Sequence, residues 1–157
     1  MAVPLINKVN PEPIEDDLER SARVARRALS TPIAMISWFD PMERVHQVGS
    51  TEEVIDLSGE ERNFRMALKI AKRIVARKQP WAVSDARGNP ILSQTSAVKE
   101  GGVMSCISVP IHNTQDGNIL GAISCVSLSP RAWTEEDLQV LTHLGQLIDR
   151  QLESGTR

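Results

Sequence analysis

The feature that most constrains this chain is a pair of strand-like segments with no charged side chain on either face. The segment VPIHNTQDGNILGAISCVS, residues 109–127, turns back on itself at Asp116-Gly117, a dipeptide typical of tight turns. No Asp, Glu, Lys or Arg occurs from 103 to 113 or from 118 to 128. A strand that is apolar on both faces must be covered on both faces. The sequence therefore predicts an antiparallel hairpin that lies between two layers.

The rest of the chain supplies elements for both layers. Apolar side chains recur three or four residues apart on one face of each of three helices. These are Ile14, Leu18, Ala22, Ala25 and Leu29; Phe64, Ala67, Leu68, Ala71 and Val75; and Leu138, Leu141, Leu144, Ile148 and Leu152. We predict helices over 13–29, 61–78 and from Thr134 onward, strands over 33–39, 44–49 and 81–84, and a long loop over 85–102 with one helical turn near 93–98. Gly145, inside the last helix, indicates a close packing contact.

This order of elements predicts one α+β domain over residues 13–153, preceded by an irregular segment at 1–12 that carries prolines. The first and last helices cover one face of an antiparallel sheet. The middle helix and the long loop cover the other face. Loops as long as 85–102 inside a compact domain are usually functional or mobile.

Composition narrows the possible partners. The 157 residues carry a formal net charge of −2, with three Trp, two Phe and no Tyr. This balance offers no general attraction to nucleic acid or anionic lipid, and few aromatic rings on which bases could stack. No apolar run reaches the roughly 18 residues that span a bilayer. With two cysteines and no secretory signal, we expect a cytoplasmic protein with free thiols.

Four stretches, in this order and spacing, resemble the GAF domain family of small-molecule-sensing modules. They are IAMISWFD (33–40), VSDARGNP (83–90), SCISVPI (105–111) and GNILGAISCVSLSPRAWTEEDLQVLTHLG (117–145). The resemblance spans roughly residues 14–152. It implies a GAF-like central antiparallel β-sheet of about five to six strands, with the N- and C-terminal helices on one face and a ligand pocket under a helix and long loop on the other.

The resemblance also implies where a ligand binds. It places Asp85 and Arg87 at the pocket mouth, Ser93 in the long loop, and Met104, Cys106 and Ser108 along the strand that follows. Each position has a structural alternative, because Asp commonly hydrogen-bonds loop amides and small strand residues also serve plain packing. The spacing does not decide which face of the strands meets the pocket. We expect no catalytic residue and no metal site, since the three histidines lie in different elements.

The ligand itself is not identified by the sequence. Cyclic-nucleotide-binding members carry an Asn-Lys-x(n)-Phe-x-x-x-Asp-Glu pattern that has no counterpart here. Bilin-binding members attach the chromophore through a cysteine outside the sheet, whereas both cysteines of this chain fall inside predicted strands, which disfavours a bilin. We predict a sensory or regulatory domain that binds a small molecule, forms a homodimer through its terminal helices and signals through them, with a signalling protein as a possible partner.

Two alternatives stay open. One is a cysteine-based free methionine sulfoxide reductase of the same fold. A four-residue hairpin loop at 114–117 would place Cys106 opposite Cys125, whereas a two-residue loop would place it opposite Ser127. The other is a ligand-free interaction module that docks a partner on the basic middle helix, through residues such as Lys69 and Arg73.

Overall fold

The structure is a computed structural model that describes residues 13–52 and 57–155. The helices are α1 (Pro13–Ala28), α2 (Leu57–Arg77), α3 (Ser96–Lys99) and α4 (Glu135–Gly155). The strands are β1 (Ile33–Phe39), β2 (Val45–Thr51), β3 (Trp81–Val83), β4 (Ser105–His112) and β5 (Ile119–Ser127). They form one five-stranded antiparallel sheet in the order β2-β1-β5-β4-β3. The predicted fold class is confirmed, and the segment 1–12 lies outside the described residues.

The central hairpin, β4 and β5, is covered on both faces, as its composition predicts. On one face Ile107 and Ile123 pack in a core with α1 and α4. On the other face Cys106 and Val126 pack in a second core with α2 and the loop before β4. Full burial of an aliphatic side chain contributes about 1.5–3 kcal/mol, so each layer depends on the apolar face of the sheet that it covers.

Helix α2 differs from its prediction in two respects. It begins at Leu57, one turn earlier than predicted, and Glu60 in its first turn suits the positive end of the helix dipole. Its buried stripe includes Met66, Ile70 and Ile74, whereas the predicted Leu68 and Val75 are only half-buried. Apolar residues cover more than half of the circumference of this helix, so their spacing alone did not define which side faces the sheet.

Arg131 joins the ends of helices α1 and α4, which are far apart in sequence. Its guanidinium donates to the carbonyl oxygen of Leu29, just after the end of α1, and to Asp137 in the first turn of α4. It also lies 4.3 Å from the ring centre of Trp133. Thr134 caps α4 by accepting from the Asp137 amide at 3.0 Å, as predicted. These contacts hold the C-terminal end of α1 against the N-terminal end of α4.

A bulge in the hairpin decides which side chains share a face. The Asn113 amide donates to the Asn118 carbonyl at 2.8 Å, which confirms the four-residue loop. His112 then pairs with Ile119 but Ile111 pairs with Gly121, so Leu120 has no partner in the register. This shift places Cys106 opposite Val126 and Cys125 opposite Ile107. The expectation that a four-residue loop brings Cys106 opposite Cys125 is therefore wrong.

Within residues 13–52 and 57–155, no helix combines the length and apolar character needed to cross a bilayer.

Candidate ligand site on the α2 face of the sheet

Four polar side chains are buried in the middle of the sheet face that α2 covers. They lie in two adjacent cross-strand rows and form what we call the polar cluster: Ser37 of β1, Gln47 of β2, Ser108 of β4 and Ser124 of β5. Ser37 is opposite Gln47, and Ser108 is opposite Ser124. All four are at most 5% exposed. The apolar residues around them pack against α2, so the cluster interrupts an otherwise apolar core.

Gln47 holds β2 to both β1 and α2. Its side-chain Nε2 donates to Ser37 Oγ at 2.9 Å and to the Phe64 carbonyl oxygen at 2.8 Å. Exchanging the two atoms of the amide would set its oxygen against the Phe64 carbonyl, with no proton between them, so the orientation is fixed. In this orientation Gln47 Oε1 is buried and has no hydrogen-bond partner among the residues that the structure describes. A buried acceptor without a donor costs free energy, and such groups are usually satisfied by an ordered water, an ion or a ligand.

The second row of the cluster is a serine pair. The hydroxyls of Ser108 and Ser124 lie 2.8 Å apart, with Ser108 donating. Met35 of β1 stands opposite Ser124 in this row, and Trp81 of β3 stands opposite Ser108. The row therefore combines two small hydroxyls with two large apolar side chains. Because side chains alternate between faces, the bulge at Leu120 gives β5 the phase that turns Ser124 toward α2.

Asp85 and Arg87, expected at the pocket mouth, bind each other at the start of the long loop. The Arg87 guanidinium donates to both carboxylate oxygens of Asp85, at 2.9 and 2.7 Å. The Arg87 amide also donates to Asp85 Oδ1, which caps a single 3₁₀ turn at Ala86–Gly88. The guanidinium and this amide lower the pKa of Asp85 to about 2. The structural alternative of a carboxylate that binds loop amides is thus satisfied in this structure.

The structure brings together only some of the other predicted ligand residues. Cys106 and Ser108 share the α2 face of β4 and are both buried. Met104 is half-buried, and its carbonyl accepts from the Ala86 amide at 2.6 Å, so it lies where the loop joins the sheet. Ser93 is half-buried within the loop, and its amide donates to the Asn89 carbonyl. None of the described contacts joins Ser93 to Cys106 or Ser108.

Sequence reasoning missed two members of the cluster, Ser37 and Gln47. A signal was present, because Ser37 is the single polar residue within the strand IAMISWF. Gln47 carried less signal, since its strand is polar at several positions and lies at the sheet edge. Its burial depends on α2 passing above it, which no local pattern in β2 encodes.

The two cysteines lie on opposite faces of the sheet. Cys106 belongs to the core under α2, and Cys125 belongs to the core under α1 and α4. Both thiols are free and almost fully buried, and burial raises the pKa of each to about 12. Thiol chemistry requires the thiolate and access to it. Both conditions are unfavourable here, and the sheet itself separates the two sulfur atoms.

A cleft of about 440 Å³ opens beside the turn of the hairpin, away from the polar cluster. Trp38, Leu120 and Leu152 contribute apolar walls, and carboxylates including Asp40 and Asp149 contribute polar ones. Both carboxylates already have partners within the protein. Asp40 accepts from Arg44 and binds His46 at 2.9 Å, and these contacts lower the pKa of its carboxyl well below the usual range.

Asp149 ties the last helix to β4 near this cleft. It accepts from the His112 amide at 2.7 Å, and its second oxygen lies 3.3 Å from His112 Nδ1. Burial raises the pKa of Asp149, and the contacts with His112 oppose that rise. Neither this pair nor the pair of Asp40 and His46 resembles a metal centre. Across the described ranges, no three His, Cys, Asp or Glu side chains are grouped so that they could hold an ion.

Solved structures share this fold over most of its length. GAF3 from Slr1393 of Synechocystis sp. PCC6803, in its photoproduct state, matches with a TM-score of 0.69 and 12% identity over 90% of this chain and 95% of that one. The free methionine-R-sulfoxide reductase of Neisseria meningitidis matches with a TM-score of 0.67 and 15% identity over 94% and 83% of the two chains. A domain from Sinorhizobium meliloti 1021 matches with a TM-score of 0.67 and 12% identity over 93% of this chain and 94% of that one. It belongs to a protein that is provisionally assigned as a two-component sensor histidine kinase.

At these identities the likeness concerns the fold alone. No curated protein sequence matches the chain. The family model of the GAF domain matches residues 13–152, which is most of the sequence, and the motifs that carry the resemblance lie in the strands and turns described above. The chain belongs to the GAF domain family.

Proposed function

We propose that this chain is a sensory or regulatory domain that binds a small molecule. The ligand would lie on the α2 face of the sheet, under α2 and the loop 84–104 that cover this face. The observation that carries the proposal is the polar cluster, because it places unsatisfied hydrogen-bonding capacity in the middle of an apolar layer. GAF domains are typically sensory or regulatory, and the solved relatives include sensor domains and a domain with bound biliverdin.

The hydrogen bonds of the loop 84–104 lie largely within it, while Ala86, Leu92 and Ala97 are buried in the core under α2. Asn89 accepts from the amides of Ile91 and Leu92, both at 3.0 Å. Thr95 caps the single-turn helix α3 by accepting from the Val98 amide. A segment with such local contacts can shift as a unit while keeping its internal hydrogen bonds.

The same strands contact the terminal helices, which gives a route for the signal. A Cβ added to Gly145 of α4 would lie 3.4 Å from the Pro110 carbonyl oxygen and from Val109 Cγ2, so this helix passes close to β4. The hydrogen bond from the His112 amide to Asp149 joins the same two elements. A ligand that changes the position of β4 would therefore move α4, provided that it binds one of the two arrangements more tightly.

We also propose that the outer side of α1 and α4 forms a homodimer and that a signalling protein reads its state. Val24 of α1 and Leu147 of α4 are 47% and 48% exposed, and Ser21 of α1 donates to Gln151 of α4. The dimer would place these apolar side chains against their copies. The free thiols of Cys106 and Cys125 fit a reducing compartment such as the cytoplasm.

No observation favours the reductase alternative over the sensor. Its two possible sulfur atoms lie on opposite faces and are protonated at neutral pH, as described above. We therefore expect no turnover of free methionine sulfoxide by the parent protein. Turnover that Cys106→Ser or Cys125→Ser abolished would overturn this expectation. The interaction module on α2 stays an alternative: Lys69 is exposed, and Arg73 lies over Trp81, 4.4 Å from the ring centre.

The test is native mass spectrometry of freshly purified protein beside its denatured mass. We expect an additional mass that is present in the native spectrum and released on denaturation, on a protein that is dimeric. Hydrogen exchange with and without that compound should then show added protection in α2 and the loop, and altered protection in α4. A bare chain that gains no protection with any metabolite extract would contradict the proposal.

A further inference from the structure

We propose that the polar cluster selects an uncharged ligand, one that presents an N–H donor to Gln47 Oε1 and a neighbouring acceptor to the serine hydroxyls. This inference rests on the proposed function, since it names the chemical class of ligand for the same face of the sheet. Amides, lactams and neutral heterocyclic bases have this pairing of donor and acceptor on one edge. Carboxylates and phosphates do not.

The donor requirement follows from Gln47. Its Nε2 uses both protons, on Ser37 and on the Phe64 carbonyl, and these bonds fix the direction of the whole amide. Its Oε1 is left as a buried acceptor without a partner within 13–52 and 57–155. A ligand N–H or O–H recovers the hydrogen bond that this oxygen loses on folding, whereas a ligand with only acceptors would set lone pairs against lone pairs.

The acceptor requirement follows from the serines. Each hydroxyl carries one proton to donate. Ser37 Oγ accepts from Gln47, and Ser124 Oγ accepts from Ser108. Among the described residues, no acceptor is found for the protons of Ser37 and Ser124. A carbonyl or ring nitrogen beside the ligand's donor would satisfy one of them.

The absence of buried charge on this face sets the charge of the ligand. Among the described residues, Asp149 is the one ionisable Asp, Glu, Lys, Arg or His side chain that is buried, and it lies on α4, which covers the opposite face. An anion taken into the α2 core would meet no buried cation among the residues whose burial the structure describes, and it would lose its hydration, which costs far more than a neutral group loses. The four members of the polar cluster are themselves uncharged.

Arg62 is the group that could oppose this selection. It lies in the early part of α2, is half-buried, and its Nε is buried with no hydrogen-bond partner in the described part of the chain. If Arg62 governed recognition, an anion would bind more tightly than a neutral compound of the same shape. The two cases therefore predict opposite orders of affinity.

Three compounds of nearly equal size separate these cases: benzamide, acetophenone and benzoate. Benzamide is neutral with a donor and an acceptor, acetophenone is neutral without a donor, and benzoate is an anion. Each is titrated into the ¹⁵N-labelled full chain and followed by NMR. We expect benzamide to shift the Gln47 side-chain amide and backbone amides of β1 and β5. Acetophenone should bind about tenfold more weakly, because Gln47 Oε1 stays unpaired. Benzoate should not shift these signals at the same concentrations.

Two variants assign the effect to the amide of Gln47. Gln47→Met keeps the length of the side chain and removes both its donor and its acceptor, so the preference for benzamide over acetophenone should fall to about one. The matched control is Thr31→Val, which removes a buried hydroxyl beside Cys125, on the side of the other core, and should leave the preference unchanged. If Gln47→Met does not fold, the parent's order of affinity for the three compounds still decides the matter.

Each contrary result has a separate meaning. Benzoate binding at least as tightly as benzamide, or equal affinities for benzamide and acetophenone, would overturn the ligand class and leave the sensor proposal standing. No shift of the α2-face signals by benzamide would overturn the inference as well. The sensor proposal is judged independently, by whether a small molecule is released from the native protein.

Discussion

Among the glycines that the structure describes, Gly121 is the one at which an added methyl group would meet the closest atoms. It lies next to the bulge at Leu120, opposite Trp38 of β1. A Cβ built on Gly121 would lie 1.9 Å from the Ser37 carbonyl oxygen and 2.7 Å from the Trp38 Cα. Both atoms belong to the backbone of β1, so no change of rotamer can relieve the overlap. Gly121→Ala must therefore separate β1 from β5.

The size of the effect can be worked from these distances. Side-chain Cβ atoms essentially never lie under 3.0 Å from another heavy atom, so a contact of 1.9 Å requires a displacement of about 1.1 Å. Such a displacement breaks the hydrogen bonds beside Gly121, at about 0.5–1.5 kcal/mol each. It also loosens the packing around Trp38, at about 1–3 kcal/mol. We expect Gly121→Ala to lower the free energy of unfolding by about 3–5 kcal/mol, a large part of the usual total of about 5–15 kcal/mol.

Urea unfolding followed by tryptophan fluorescence measures this loss. The control is Gly88→Ala, since a Cβ at Gly88 meets no heavy atom of the described residues within 4 Å. Its free energy of unfolding should stay the same or rise slightly, because alanine restricts the unfolded chain. A Gly121→Ala protein within about 0.5 kcal/mol of the parent would refute the close approach of β1 and β5, and with it the bulge that sets the register of the hairpin.

Three further outcomes are expected. Burial raises the pKa of Cys106 and Cys125 to about 12 from 9.0, so the folded state keeps protons that the unfolded chain releases and stability falls as pH rises above about 9. In urea titrations at pH 8 and 10, Cys106→Ala should reduce this fall by about 1.4 kcal/mol, and an unchanged fall would mean that the thiol ionises in the folded state. Arg131→Ala should cost about 2–4 kcal/mol in thermal or urea unfolding, because it removes the ties between α1 and α4, whereas a loss under 0.5 kcal/mol would show that these ties are weak. Val24→Glu combined with Leu147→Glu should yield a folded monomer in light scattering, and a dimer that persists would move the interface elsewhere.

The elements were predictable because their signals are local. The bounds of β1 agree with the prediction, and Thr134 caps α4 as expected from its place before three acidic residues. The stripe on α1 was also predicted, with Leu18 and Leu29 buried. Each of these features depends on residues within one or two turns of one another. For the same reason the two-sided burial of β4 and β5 could be inferred from composition alone.

The candidate site was predictable only in part. The resemblance directed attention to Cys106 and Ser108, which do lie on the α2 face. It gave no reason to single out Gln47. The side-chain Nε2 of Gln47 donates to the Phe64 carbonyl oxygen of α2, 17 residues away in sequence, and this bond directs Oε1 to a place where it meets no donor among the described residues. Asp85 and Arg87 were predicted as pocket residues, but in this structure their side chains form an ion pair with each other. Their role in ligand binding stays a prediction.

The sequence by itself determined the order of the elements, the antiparallel hairpin and the need for a layer on each side of it. Only the tertiary structure decided which side chains meet within those layers. The bulge at Leu120 shifts the pairing by one residue, and in a strand a shift of one residue exchanges the two faces. It therefore separates Cys106 from Cys125 and directs Ser124 toward Ser108. Local sequence encodes the alternation of side chains along a strand, but the phase of that alternation is set by pairing with distant strands, which no single segment contains.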